Sequence, residues 1–134
     1  MIINKVTLYT HDLAAIEDFY CIKLGFQILK KSTTVLEIKI GNSVLAFELA
    51  SPKEHKQYHL AFNIPSNLFQ EAKEWIKFYT SLLVEDDEDE VYFETIDAHS
   101  LYFYDPDENV IELIARHSVN PELHVKQFPL HDLS

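Results

Sequence analysis

The feature that most constrains the fold is that the chain reads as two copies of one unit. In the first copy, residues 3–10 (INKVTLYT) alternate apolar and polar side chains, which is typical of a half-buried strand. Asp12 is placed to cap a following helix and Gly25 to end it. Three more strands follow (FQILKK, VLEIKI and SVLAFELA), and Gly41-Asn42 predicts a hairpin turn between the last two. The first unit is therefore predicted to be β-α-β-β-β.

The second copy begins again at residues 58–64 (YHLAFNI). Pro65-Ser66 opens a helix with a strong apolar stripe, and VYFETI, SLYFY and NVIELIA follow as strands. Lys5 and His59 hold matching places in the two units, 54 residues apart. An internal repeat of this length indicates that the fold is built from two similar structural units. We therefore expect an α+β fold in which two βαβββ repeats form a curved mixed β-sheet cavity, with helices on the outer face.

The length of 134 residues corresponds to one domain. We expect that domain over residues 1–115, with repeat one at 1–50 and repeat two at 57–115. Residues 116–134 contain two prolines and are expected to form a surface tail that packs on the domain or pairs with another subunit.

The net negative charge of the chain limits the kinds of partner that it is expected to bind. Eleven basic and 22 acidic residues give a formal charge of −11, and six of the acids form the run from Glu85 to Glu90. Nucleic-acid binding needs a basic patch, so it is not expected. The acidic run fits a solvated loop after a helix, or else a rim that attracts cations or repels anions. With no signal-peptide pattern and no long apolar segment, we expect a cytoplasmic protein without a membrane partner.

The predicted sheet faces that point away from the helices mix polar and aromatic residues. Such a face often meets solvent, but it can also line a cavity if the sheet curls. Tyrosines near these strands, among them Tyr102 and Tyr104, favour a cavity. The residues predicted on these faces are Lys5, Thr7, Tyr9, Ala46, Glu48, His59, Ala61, Asn63, Glu112 and Ile114.

Four segments together resemble the vicinal oxygen chelate superfamily, which includes glyoxalase I, fosfomycin-modifying enzymes, bleomycin resistance proteins and extradiol dioxygenases. The segments are VTLYTHDLAAIEDFYCIKLGF, GNSVLAFEL, YHLAFNI and SLYFYDPDENVIEL. The resemblance covers residues 3–115, and its last motif is the most specific. Glu108 stands where this motif usually has glycine, so a different turn is expected there.

The resemblance implies a metal site with ligands on the first, fifth and eighth strands, and sometimes on the fourth. His59 and Glu112 match the fifth- and eighth-strand ligands. Lys5 falls on the first-strand ligand, and an ammonium has no lone pair to offer a metal. Glu48 could complete a Glu48-His59-Glu112 set for iron, manganese, nickel or zinc. Alternatively, Lys5 replaces the ion and pairs with Glu112 or Glu48, which leaves a metal-free pocket.

Two functions follow from the resemblance. The first is a bleomycin-resistance-like protein that binds a small molecule, with Lys5, Tyr9, Asn63, Tyr102 and Tyr104 as substrate-binding residues. The second is a metal-dependent lyase, isomerase or dioxygenase that acts on a substrate with vicinal oxygens, with Glu112 and His59 as catalytic residues. A regulatory module with a vestigial pocket is a third alternative. A homodimer is expected in each case.

The remaining candidates for chemistry are weak. Cys21 lies beside the core stripe of the first helix and is expected to be a small buried residue. His99 precedes a strand and is either a hydrogen-bonding residue at the rim or a general base near the pocket. His117, His124 and His131, spaced by seven, are expected to be surface residues of the tail.

Overall fold

Each half of the chain forms its own four-stranded mixed sheet. The computed structural model describes residues 4–50 and 57–117. The first half contains β1 (Asn4–Thr10), α1 (Leu13–Glu17), β2 (Gln27–Lys31), β3 (Val35–Ile40) and β4 (Ser43–Leu49). The second half contains β5 (His59–Asn63), α2 (Phe69–Tyr79), β6 (Val91–Phe93), β7 (Ala98–Tyr104) and β8 (Val110–Arg116). A π-helix (Asp18–Lys23) extends α1, and single 3₁₀ turns lie at Ser66–Leu68 and Glu94–Ile96.

The two sheets have the same topology. Their strand orders are β1-β4-β3-β2 and β5-β8-β7-β6, with the β1–β4 and β5–β8 pairs parallel and the others antiparallel. The predicted α+β fold of two βαβββ repeats is confirmed. The sheets are separate rather than one continuous sheet, so β1 and β5 are edge strands within the described part of the chain.

Local signals in the sequence explain most of the element ends. The Asp12 carboxylate accepts a hydrogen bond from the Ala15 N–H at 3.0 Å, as the predicted N-cap requires. Gly25 follows the helix with φ 80°, and Gly41 forms the β3–β4 turn with φ 59°. Both angles lie in the left-handed region that glycine adopts without penalty.

The turn between β7 and β8 replaces the usual glycine with Glu108, which has φ 62°. The Asp105 carboxylate holds this turn by accepting hydrogen bonds from the backbone N–H groups of Asp107 and Asn109, at 2.9 and 3.0 Å. A non-glycine residue in this region costs about 1–2 kcal/mol. The Asp105 hydrogen bonds offset that cost, which is why the departure leaves the fold intact.

One hydrophobic core joins the helix-facing sides of both sheets. Phe19 from the first repeat packs on Phe103 from the second, with ring centroids 6.2 Å apart. The Tyr20 hydroxyl donates to Asp105 Oδ2 at 2.7 Å in a buried contact between the repeats. Because each sheet turns its helix-facing side to this core, the opposite sides, called here the open faces, point away from it.

Candidate functional site

A carboxylate and an imidazole meet on the open face of the second sheet. His59 Nε2 lies 3.1 Å from Glu112 Oε1. They come together because β5 runs parallel beside β8, with His59 in register with Val110 and Ala61 with Glu112. The His59 side chain is 58% exposed, whereas that of Glu112 is only 12% exposed. The pair therefore has a buried acidic side and an accessible imidazole side.

Two hydroxyl groups complete the surroundings of Glu112. Ser100 Oγ donates to Glu112 Oε2 at 2.8 Å, and the Tyr102 hydroxyl donates to the same oxygen at 3.1 Å. Burial, followed by the nearby negative charge of Glu112, raises the pKa of Tyr102 above its usual value of 10.0. Tyr102 therefore stays a neutral hydrogen-bond donor, and the buried carboxylate is satisfied by protein groups on both oxygens.

The first sheet carries an equivalent but different arrangement. Lys5 Nζ lies 3.1 Å from Glu37 Oε2, across β4. By sheet register, Lys5 corresponds to His59, Ala46 to Glu112 and Glu37 to Tyr102. The small Ala46 side chain leaves room for Lys5 to reach over β4 to Glu37. Lys5 therefore pairs with Glu37 in this chain, and not with Glu112 or Glu48 as predicted.

Register explains why Glu48 lies apart from Lys5. Glu48 is opposite Tyr9, four residues along β1 from Lys5. At about 3.3 Å per residue, this is a separation of about 13 Å along the sheet. Tyr9 is 43% exposed on this open face. Glu48 and Tyr9 therefore lie together at the far end of the face that carries Lys5.

The residues expected to hold a metal do not form a three-ligand set within residues 4–50 and 57–117. No three His, Cys, Asp or Glu side chains in these ranges are arranged to hold an ion. His59 and Glu112 provide two donors, but the first-strand position carries the Lys5 ammonium, which cannot coordinate a metal while protonated. The donors in this part of a single chain therefore do not fit a complete metal centre.

A cavity of about 430 Å³ opens beside this site, between the open face of β6 and β7 and the loop after α2. The cavity reaches the site through Tyr102. Its wall combines apolar, aromatic and acidic side chains, namely Leu83, Val84, Glu85, Glu88, Asp89, Val91, Tyr102 and Tyr104. Of the predicted substrate-binding residues, Tyr102 and Tyr104 thus line a cavity, and Asn63 lies four residues along β5 from His59.

A backbone hydrogen bond and two salt bridges hold the acidic loop in place. The Leu83 N–H donates to the Tyr102 carbonyl oxygen at 2.8 Å. Lys73 Nζ, on α2, lies 2.7 Å from both Asp89 Oδ1 and Glu90 Oε2. The acidic run is therefore part of a cavity wall as well as a loop after a helix.

The other residues considered for a chemical role lie away from this site. His99 is on the helix-facing side of β7, where its ring packs near Phe69 at 5.7 Å. The role of a general base near the pocket is therefore wrong for His99. Burial raises the pKa of Cys21 to about 11, so its thiol stays protonated. The predicted tail, apart from Arg116 and His117, lies outside the described residues.

Sequence reasoning missed Glu37 and Ser100. Both lie on strands whose contacts depend on sheet register rather than on spacing along the chain. The alternation in VLEIKI places Glu37 opposite the core-facing isoleucines, which was the signal available for it. Ser100 carried no comparable signal.

Comparison with known proteins agrees with the fold. The model of the Glyoxalase/Bleomycin resistance protein/Dioxygenase superfamily matches residues 2–113. The chain is 30% identical over 110 residues to metallothiol transferase FosB from Staphylococcus haemolyticus, a match that covers 74% of this chain and 79% of that protein. This chain therefore belongs to the Glyoxalase/Bleomycin resistance protein/Dioxygenase superfamily.

Solved structures show the same fold. Lactoylglutathione lyase from Agrobacterium tumefaciens has a TM-score of 0.68 at 21% identity, covering 85% of this chain and 92% of that one. The fosfomycin resistance protein FosX from Listeria monocytogenes, solved with Mn(II) and 1S,2S-dihydroxypropylphosphonic acid, has a TM-score of 0.62 at 24% identity, covering 82% and 85%. Among the described residues, no helix is long and apolar enough to cross a membrane.

Proposed function

We propose that this protein binds a small molecule on the open face of its second sheet, without a catalytic divalent ion. The observation that carries the proposal is Lys5. It stands where the family's first-strand ligand is expected, and its ammonium is paired with Glu37 at 3.1 Å. A cation fixed at this position supplies positive charge without the open coordination sites of a metal.

The proposed binding surface combines the polar group around Glu112 with the partly apolar wall of the adjoining cavity. His59 and the Tyr102 hydroxyl offer hydrogen-bonding groups beside Glu112. The adjoining cavity of about 430 Å³ is within the size range of small-molecule sites. Tyr104, Asn63 and Tyr9 are proposed to contact the ligand further from this centre.

We further propose a homodimer, which would complete the site. Lys5 lies on edge strand β1 and His59 on edge strand β5. Exposed edges offer unpaired backbone groups to a second copy. Pairing β1 of one copy with β5 of another would bring the two open faces side by side and place Lys5, Tyr9 and Glu48 near His59 and Glu112.

The second candidate is a metal-dependent lyase, isomerase or dioxygenase. This candidate is favoured by the His59–Glu112 pair, in which Nε2 and Oε1 lie 3.1 Å apart. The accessible imidazole could rotate to bind an ion. The name metallothiol transferase and the Mn(II) in the FosX structure give it further support. In this case Glu112 and His59 would hold the ion, Glu48 from a second copy would be the third ligand, and the ion would polarise a substrate oxygen.

A fragment screen by protein NMR separates the two candidates. Wild-type protein, treated with chelator and then dialysed, is screened with small oxygen-rich fragments while the amide signals of β5, β7 and β8 are followed. We expect shifts on the open face of the chelated protein, and their loss in Tyr102→Ala. Binding that appears only when Zn(II), a diamagnetic ion that leaves these signals sharp, is added would support the metal enzyme. No open-face shift under either condition would overturn the proposal.

A further inference from the structure

Two imidazoles meet on the opposite side of the second sheet from the proposed ligand site. His99 Nδ1 lies 2.7 Å from His117 Nε2. The His117 N–H donates to the Asp97 carbonyl oxygen at 2.9 Å, which continues the β7–β8 ladder by one residue. Because His99 is in register with Ala115, the two histidines are diagonal neighbours on one face of the sheet.

The surroundings hold one ring and leave the other accessible. The His99 ring packs against Tyr92, with centroids 4.7 Å apart, and near Phe69. Tyr92 is fixed in turn because its hydroxyl donates to Asp97 Oδ1 at 2.7 Å. His117 is exposed. The pair thus combines a ring packed against aromatic side chains with an exposed ring.

The distance between the two nitrogens is close to that of a chelate. Two nitrogens bound about 2.0 Å from one ion lie about 2.8 Å apart at a right angle, and about 3.3 Å apart at a tetrahedral angle. The observed 2.7 Å places both nitrogens within reach of one ion. Imidazole nitrogens bind Ni(II), Cu(II) and Zn(II), and the affinity of such ligands rises from Ni(II) to Cu(II) and falls again at Zn(II).

We propose that His99 and His117 form a second binding site, for a divalent transition metal of the Cu(II) or Ni(II) type. In the present hydrogen bond one of the facing nitrogens carries a proton. On binding, that proton moves to the other nitrogen of the same ring, so that two neutral imidazoles present lone pairs. Each ring turns so that its lone pair points at the ion rather than at the other ring.

The remaining coordination positions face solvent. No third His, Cys, Asp or Glu within residues 4–50 and 57–117 joins the pair in a metal-binding group. Water or an added ligand therefore fills these positions. The site is independent of the proposed ligand site, because His59 and Glu112 lie on the other face of the same sheet.

Calorimetric titration of Cu(II) and Ni(II) into the full chain tests this site. His117→Gln is the main variant, because the residue is exposed and its loss should leave the fold intact. We expect it to weaken Cu(II) binding about tenfold or more, since even outer partners of metal ligands are worth 10–100-fold in affinity. His99→Gln should give a similar loss, with amide NMR spectra reporting that it still folds.

The matched control is His11→Gln, which removes an exposed imidazole of the first repeat and should leave Cu(II) affinity unchanged. Electron paramagnetic resonance of the Cu(II) form should show two nitrogen ligands in wild type and one fewer in His117→Gln. Unchanged affinity in His117→Gln would overturn the proposal, as would a loss in His11→Gln alone.

Discussion

The Lys5 ammonium lies 3.1 Å from Glu37 Oε2, and by sheet register these residues occupy in the first repeat the places of His59 and Tyr102 in the second. The repeats therefore share a geometry but differ in chemistry. Ala46 leaves space between the partners in the first repeat. Glu112 fills the same place in the second and draws in the imidazole and two hydroxyl groups.

The pKa of Tyr102 should report the charge of Glu112. Glu112→Gln removes the neighbouring negative charge that disfavours the phenolate, so the pKa of Tyr102 should fall toward its usual value of 10.0. Carbon NMR of the labelled tyrosine ring measures this pKa directly. Glu85→Gln should lower it by a smaller amount, because Glu85 contributes less. An equal effect from Glu17→Gln, on α1 of the first repeat, would contradict the assigned contact.

The hydrogen bond between the Tyr20 hydroxyl and Asp105 should stabilise the contact between the repeats. Tyr20 is 2% exposed and Asp105 is 4% exposed. Removing a buried hydrogen bond of this kind costs about 1–3 kcal/mol, so Tyr20→Phe should lower the free energy of unfolding by that amount. Urea denaturation measures the change. Tyr9→Phe, at a residue that is 43% exposed, is the control and should have little effect.

The same contact predicts a loss of stability in alkali. Burial, followed by the charge of Asp105, raises the pKa of Tyr20 well above 10.0. Above pH 10 the unfolded tyrosine therefore loses its proton while the folded one keeps it, and the free energy of unfolding falls as pH rises. In Tyr20→Phe this slope should be shallower between about pH 10 and 12. Identical slopes would show that Tyr20 ionises equally in both states.

Lys73 should hold the acidic loop against the second sheet. Lys73→Met removes the contacts to Asp89 and Glu90, so the Leu83 amide, bonded to the Tyr102 carbonyl, should exchange with solvent faster. The measurement is the hydrogen-exchange protection factor of that amide. Lys39→Met, an exposed lysine on β3 of the first repeat, is the control. Equal protection in wild type and Lys73→Met would contradict the role of Lys73.

The effect of Lys73 should fade in acid. The hydrogen bond from Lys73 is the largest cause of the lowered pKa of Asp89 and of Glu90. Carboxylates with a lowered pKa stabilise the fold above the usual range, about pH 4, and this contribution is lost as pH falls through the lowered value. The difference in protection between wild type and Lys73→Met should therefore narrow below about pH 4. If the difference in protection between wild type and Lys73→Met stays the same below pH 4, the charge pairs of Lys73 do not cause it.

Elements with strong local signals were predictable from the sequence. The Asp12 cap, the turn at Gly41 and the alternating strands depend on a few neighbouring residues, and each is confirmed. The π-helix Asp18–Lys23 was not predicted, because its apolar stripe has nearly the spacing of an ordinary helix. The irregular register between Ile28 and Lys30 left no signal either.

The site was only partly predictable because it depends on pairs that are distant in the chain. The repeat pattern and the resemblance brought His59 and Glu112 together as expected. The partner of Lys5 was assigned wrongly, because the choice among Glu37, Glu48 and Glu112 follows from register, which alternation alone does not determine. The histidine pair was missed, because His117 joins His99 only through the extension of the β7–β8 ladder.

The most direct test of the central claim is calorimetric titration of Mn(II), an ion that prefers carboxylate ligands over a pair of histidines. Wild type and Lys5→His are compared, each with and without Glu112→Ala. If Lys5 takes the place of a metal ligand at the site that the proposed homodimer completes, wild type shows no binding that depends on Glu112, whereas Lys5→His gains a site that Glu112→Ala abolishes. Tight binding of Mn(II) by wild type that is lost on Glu112→Ala would contradict the account.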